Sequence, residues 1–152
     1  VLVSGVYLAQ CATPLRLIND GIDYLLQASS ALDGHGFLLH GVRSMRPAGY
    51  PAIVFALSKL GLGSSWAIVA LNCLMLGTGT WAGYFVLRAY FGFSSQVAQV
   101  ISLLTLFSYL MVRNVTYPLS DVSYFGLSVP CLLMLSKTET GGGTRRWMWL
   151  IP

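Results

Sequence analysis

Charge is what this chain has least of. Only 9% of its 152 residues are Asp, Glu, Lys or Arg, while 55% are hydrophobic. A soluble domain carries about 25% charged residues, enough to coat a surface that faces water. This chain cannot do that, and a mean hydropathy of +0.68 points the same way. Composition therefore predicts an integral membrane protein with several spans, an all-α polytopic transmembrane helical bundle.

Other absences narrow the function. The net charge of +4 is made of scattered bases, with no basic stripe interleaved with aromatics, so nucleic acid is not an expected partner. Cys11, Cys73 and Cys131 are odd in number, far apart and set in apolar runs. They make neither a disulfide framework nor a CxxC metal pair and read as small buried residues. His35 and His40, with four residues between them in a glycine-rich loop, do not define a metal site. "GGGT" at 141–144 lacks the spacing and lysine of a phosphate-binding loop. No ionisable residue falls in mid-span, where a proton or ion path would need one. Inverted repeats, the mark of many transporters, are also missing. Val1–Leu17 has no basic leader, so it reads as part of a first span rather than a signal peptide. With no initiator Met and a last stretch "RRWMWLIP" that looks like the opening of another span, the expectation is a fragment of a longer protein.

What is present divides into apolar runs and polar breaks. Spans are expected at about 1–17, 66–90, 93–112 and 119–136, with a further one starting at 147. Pro130 is an expected kink, and Gly79 and Gly83 form a GxxxG packing motif. "SKTETGGGTRR" reads as a flexible connector. Two short helices are expected before residue 66. The one at about 20–33 is amphipathic: Ile22, Leu25, Leu26, Ser29 and Leu32 fall on one face, and Asp20, Asp23, Gln27 and Ser30 on the other. Such a helix lies along a membrane surface. The second, at about 48–61, reaches only about 20 Å at ~1.5 Å per residue, against a hydrocarbon core of about 30 Å. It too is expected to lie along the surface. Asp20, Asp23, Asp33 and Asp121 then share one side of the membrane, four of the five acids.

Three constellations on that side carry chemistry. Asp20, with Asp23 and Tyr24 nearby, sits where a carboxylate can act as general base on a substrate at the interface. The plainer role is a helix N-cap. Arg46 precedes the proline turn "RPAGYP" that opens the second short helix. A guanidinium fork beside a helix N-terminus suits a phosphate, though it suits snorkelling to lipid headgroups equally. Asp121, opening a later span, can orient Arg46, touch an acceptor, bind a metal or cap its own helix.

The order of these motifs resembles the N-terminal module of the C-type, polyprenyl-phosphate-dependent glycosyltransferases. That group includes protein O-mannosyltransferases, aminoarabinose transferases and their bacterial relatives. The resemblance rests on "DGIDYLLQA" after a first span, "LDGHGF" closing that helix, "RPAGYP" opening a short helix, "LGLGSSWAIVALNCL", and a later "SD", over about residues 1–136. It implies a multi-pass protein of the bacterial inner membrane. The implied reaction moves a sugar from a polyprenyl-phosphate donor to a protein, lipid or glycan acceptor on the outer face, with inversion. Asp20 matches the proposed base and Arg46 the residue facing the donor phosphate, with Arg43 beside it; Tyr24, Asp23 and Asp121 support them. No fixed cofactor is implied, and room is left for a divalent metal with Asp121 as its candidate ligand. Met45 stands where some relatives carry a Glu before the basic residue, so a metal site built on that Glu is not implied here. These 152 residues alone are expected to be inactive. The alternative is a non-enzymatic polytopic protein such as a transporter or flippase subunit.

Overall fold

The structure, a computed structural model, describes residues 2–140. The span expected to start at Trp147, and Arg145 and Arg146 before it, lie outside the described residues. The described part is mostly helical. Its helices are α1 (Leu2–Cys11), α2 (Asn19–Leu32), α3 (Gly49–Lys59), α4 (Ser65–Ala89), α5 (Ser95–Phe107), α6 (Tyr109–Asn114) and α7 (Ser120–Thr140). A small antiparallel hairpin, β1 (Leu38–Leu39) and β2 (Val42–Arg43), pairs Leu38 with Arg43 and Leu39 with Val42.

The bundle is built on α4 and α7. Glycines let them approach. A Cβ on Gly79 would stand 2.5 Å from the Phe125 ring, and one on Gly126 would stand 2.5 Å from the Met75 carbonyl oxygen. Gly83 faces Val129 at an ordinary 3.7 Å, so the GxxxG pair does pack a helix, more tightly at its first glycine. Residue numbers rise together along this seam, from Asn72 against Tyr117 to Gly83 against Val129, so α4 and α7 run in the same direction. The α5–α6 segment returns between them. Tyr7 meets Leu106 and Arg16 meets Thr116, so α1 runs with that returning segment. The starts of α2 and α7 therefore lie at one end of the bundle.

One described helix, Ser65–Ala89, is long and apolar enough to cross a membrane; Ser95–Phe107 and Ser120–Leu135 are shorter apolar helices. The continuous span expected at 93–112 is broken. Ser108 takes an extended ψ of 128°, dividing α5 from α6. The hydroxyls of Ser102 and Thr105 bond back to the Ala98 and Ile101 carbonyls in the turns before the break, a pattern that bends helices. The first helix stops at Cys11 rather than 17, just ahead of Pro14, which has no N–H to continue the ladder. At the other end α7 carries Pro130 inside it and continues to Thr140, so 136–140 are helical rather than connector. Cys11 and Cys73 are half-buried and Cys131 is exposed, where small buried residues were expected.

Two further departures shape the site. The loop at 33–47 contains the β1–β2 hairpin. Its two turn residues, His40 and Gly41, both take positive φ, 51° and 80°, the geometry of a tight two-residue hairpin turn. Helix α2 packs by a face that its apolar stripe does not single out. Gly21, Tyr24, Gln27 and Ala28 are buried, while Ile22, Leu26 and Leu32 from the expected apolar stripe are exposed.

Candidate functional site

Helices α2 and α3 pack early against early. The Tyr24 and Tyr50 rings lie 5.6 Å apart, and further on Phe37 meets Phe55 edge-on at 5.9 Å. Ala28, Val54 and Ile68 complete this cluster. The hairpin reverses the chain after α2, and the segment that follows it carries Arg46 back to the start of α2.

Arg46 closes the arrangement. Its Nη1 lies 2.6 Å from Asp20 Oδ1 and its Nη2 lies 3.1 Å from Asp23 Oδ2. The guanidinium also stands 6.0 Å from the Tyr24 ring centroid. The hydrogen bond to Asp20, then the nearby carboxylate charges, raise the Arg46 pKa above its ordinary value, so this cation is permanent. Asp20 does not cap its helix. The N-cap is Ile18, which makes no side-chain bond, and the Asp20 carboxylate turns to Arg46 instead.

Helix α7 joins from the other side. Gly21 lies directly on Pro118, where an added Cβ would come within 2.7 Å of the proline Cγ. The Tyr24 hydroxyl is 3.4 Å from Ser120 Oγ. Asp121, next in sequence, is exposed and forms no ion pair among the described residues, so Arg46 is oriented by Asp20 and Asp23 rather than by Asp121. Among the described residues there is no group of three His, Cys, Asp or Glu suited to a metal. His35 and His40 are exposed in the loop and the hairpin turn.

Beside the ion pairs is a cleft of about 400 Å³, lined by Gln27, Phe37, Leu38, Arg43, Ser44, Arg46 and Ala48. Its volume suits a small ligand. Two guanidiniums and a hydroxyl form its polar wall, and Ser44 Oγ accepts from the Arg46 backbone N–H at 3.0 Å. Gln27 lies under its floor, fully buried, with neither amide atom hydrogen-bonded. Buried amides are nearly always paired, so this one stands out.

Behind the cleft, burial pushes the Tyr50 phenol up to about 12, against a smaller opposing pull from the Asn72 amide. That contact falls short of hydrogen-bond geometry, since Tyr50 Oη and Asn72 Oδ1 both lack a bonded partner. Asn72 Nδ2 is fully engaged, donating to the Val115 and Tyr117 carbonyls at 3.0 and 2.9 Å. It fixes the turn that presents Pro118 to Gly21.

Sequence reasoning reaches Asp20, Asp23, Tyr24, Arg43 and Arg46, and the structure gathers all five around α2, the hairpin and the approach to α3. It misses Gln27, Phe37, Ser44, Tyr50 and Asn72. A signal for Asn72 exists: it is the one amide inside an otherwise apolar 25-residue helix. Compared with family models, curated proteins and solved structures, the chain shows no significant match to any.

Proposed function

We propose that this chain belongs to a membrane glycosyltransferase that moves a sugar from a polyprenyl-phosphate donor to an acceptor nucleophile at the outer membrane surface. The observation that carries the reading is the Asp20–Arg46–Asp23 cluster at the rim of the Gln27 cleft. A base and a phosphate-binding cation, far apart in sequence, meet beside a cavity of ligand size.

The membrane setting is supported by α4 and by large side chains left exposed around the bundle. Leu74, Trp81, Leu104, Leu110, Leu132 and Met134 are all more than half exposed. That much exposed apolar surface suits a lipid surround. A second cleft, of about 470 Å³ between α4 and α5 and lined by Gly77, Trp81, Leu103 and Leu106 among others, gives a prenyl tail an apolar seam.

In this reading Arg46 exchanges partners. Without donor it is held by Asp20 and Asp23. A donor phosphate arriving between Arg46 and Arg43 competes for the guanidinium and frees one face of the Asp20 carboxylate. The acceptor's hydroxyl or amine attacks the anomeric carbon from the side opposite the phosphate, and its proton passes to Asp20. The bond from the anomeric carbon to the phosphate oxygen breaks, its electron pair stays on the phosphate, and the anomeric centre inverts. Arg46 stabilises the charge that develops there.

The test is transfer of radiolabelled sugar from a polyprenyl-phosphate sugar, with the chain in its full-length membrane context. Asp20→Asn is expected to abolish transfer while donor binding persists. Equal turnover in wild type and variant would falsify the base assignment.

A further inference from the structure

A second cationic cluster lies at the same end of the bundle, and the proposed transferase mechanism makes no use of it. Arg113, closing α6, donates from Nε to the Tyr117 hydroxyl at 3.1 Å, and its guanidinium carbon stands 5.4 Å from that ring's centroid. Arg16, nearly a hundred residues earlier, is tied to the same turn: its backbone N–H donates to the Thr116 carbonyl at 2.9 Å. The hydrogen bond from Arg113, and with a smaller effect the approach of Arg16, pull the Tyr117 pKa below its ordinary value.

The base of this cluster is rigid and its rim is open. Tyr117 is buried and Thr116 fully so, with the Thr116 hydroxyl bonded to the Arg113 carbonyl and the Tyr117 carbonyl held by Asn72. Both guanidiniums are exposed. Among the described residues neither pairs with a carboxylate, in contrast to Arg46, which is neutralised by two. Two uncompensated arginines held at one turn make a cradle for an anion, and planar guanidiniums favour phosphate. The chain next to each arginine carries exposed apolar side chains, Leu17 and Ile18 after Arg16 and Tyr109 and Leu110 shortly before Arg113. A ligand resting there meets charge and grease together.

From this geometry we infer that Arg16, Arg113 and Tyr117 form a second site, which binds a phosphate group carried by a lipid. The site stands independently of the transferase reading, since it uses none of the residues around Asp20.

Native mass spectrometry of the chain, released from mixed micelles, tests it. The probes are phosphatidic acid, phosphatidylcholine, whose phosphate is screened by choline, and inorganic phosphate. Wild type is expected to retain phosphatidic acid at concentrations about tenfold or more below phosphatidylcholine, the two arginines together supplying that factor. Arg16→Gln with Arg113→Gln should erase the preference, while Lys59→Gln, which removes an exposed cation outside both sites, should keep it. Arg16→Lys with Arg113→Lys, which keeps the charge but loses the fork, should fall between. Inorganic phosphate binding as tightly as phosphatidic acid, and lost in the double glutamine variant, would uphold the phosphate cradle and overturn the lipid as its source. Equal retention of the two lipids by wild type, or an undiminished preference in the double glutamine variant, would overturn the site itself.

Discussion

Arg46 bridges two carboxylates one helical turn apart, Asp20 at 2.6 Å and Asp23 at 3.1 Å, and so ties the approach to α3 to the first turns of α2. The three-residue spacing is what lets one fork hold both acids, because residues i and i+3 are neighbours on a helix surface. Asp20 is the more exposed of the two, at 56% against 23% for Asp23. A partner arriving from outside therefore meets Asp20 first. Replacing Asp20 by Asn should cost little stability, since exposed pairs contribute little. Replacing Asp23, packed more deeply, should lower the thermal midpoint more. Differential scanning fluorimetry of Asp20→Asn and Asp23→Asn in the same detergent would show this order, and the reverse order would place the structural strut at Asp20.

The approach of α2 to α7 depends on Gly21. With a Cβ there, the Pro118 ring would have to retreat from 2.7 Å, and a proline ring has nowhere flexible to go. Gly21→Ala is expected to destabilise by about 1–3 kcal/mol. Gly77→Ala is the contrast. It lies inside α4 with nothing within 4 Å of the added carbon, and should stabilise by about 0.5–1 kcal/mol. Denaturant or thermal unfolding of both variants reads the difference. A neutral Gly21→Ala would mean that Gly21 is not pressed against Pro118 in the folded protein.

Much of this site is legible in the sequence, and what is hidden has physical causes. That "DGID" and "RP" are the polar spots of interest can be read because charges are so scarce, but the sequence offers Asp121 as the acid that orients Arg46, and the structure gives that role to Asp20 and Asp23. The buried face of α2 cannot be read that way. Periodicity separates an apolar stripe from a polar one, but it does not say which residues between them pack against neighbouring helices. Ile22 and Leu26 stay outside and Gln27 goes in. The hairpin is a different kind of miss. His40-Gly41 carries the positive-φ signal of a two-residue turn, but strands only two residues long leave no alternation to see. The break at Ser108 is invisible for want of any proline or glycine there; only the pattern of hydroxyls hints at it.

Asn72 is the pin behind the site. Its amide group satisfies two backbone carbonyls in a fully buried setting. Asn72→Leu leaves the Val115 carbonyl without a partner and the Tyr117 carbonyl with only the Leu119 N–H, and should cost about 1–3 kcal/mol. The loss should also release the 115–118 turn. Hydrogen exchange at the amides of residues 115–117 should accelerate in the variant well beyond those of α4's far end. Uniform acceleration along the chain would mean that Asn72 stabilises the bundle as a whole without specifically holding that turn.

Tyr50 gives the fold an alkaline limit. Its phenol is raised from an ordinary value near 10 to about 12 by burial, so the folded state holds its proton more tightly than the unfolded state does. The neutral form is favoured on folding. That contribution is fully present below pH 10 and is lost as pH rises from about 10 to about 12, amounting to about 2–3 kcal/mol by the end of that window. Stability measured from pH 8 to pH 12 should fall across that interval in wild type. Tyr50→Phe should show a shallower fall, since its ring fills the same space with nothing to ionise. Parallel profiles for the two proteins would assign the alkaline loss to other groups.

Gln27 presents a trade between stability and binding. The ligand-free chain buries its amide with both polar atoms unpaired, an arrangement costing about 1–3 kcal/mol that folding alone gives no reason to keep. Gln27→Leu keeps nearly the same volume and removes the unpaired atoms, so it should raise stability by about that amount. If the amide is there to meet a ligand in the cleft beside Arg43 and Arg46, the stabilised variant should bind that ligand less well. The amide lies below the cleft's surface, so a wall side chain must shift for a ligand to reach it. Arg46, joined to its acids only by its exposed guanidinium tip, is the wall residue with an alternative position once a phosphate competes for it. The double outcome is the diagnostic one: a higher unfolding midpoint together with weaker donor binding, read by fluorimetry and by retention of a polyprenyl-phosphate sugar. A variant that is stabilised and binds undiminished would make Gln27 a mere packing flaw, and one that is destabilised would mean the amide is satisfied by a group the cleft already holds.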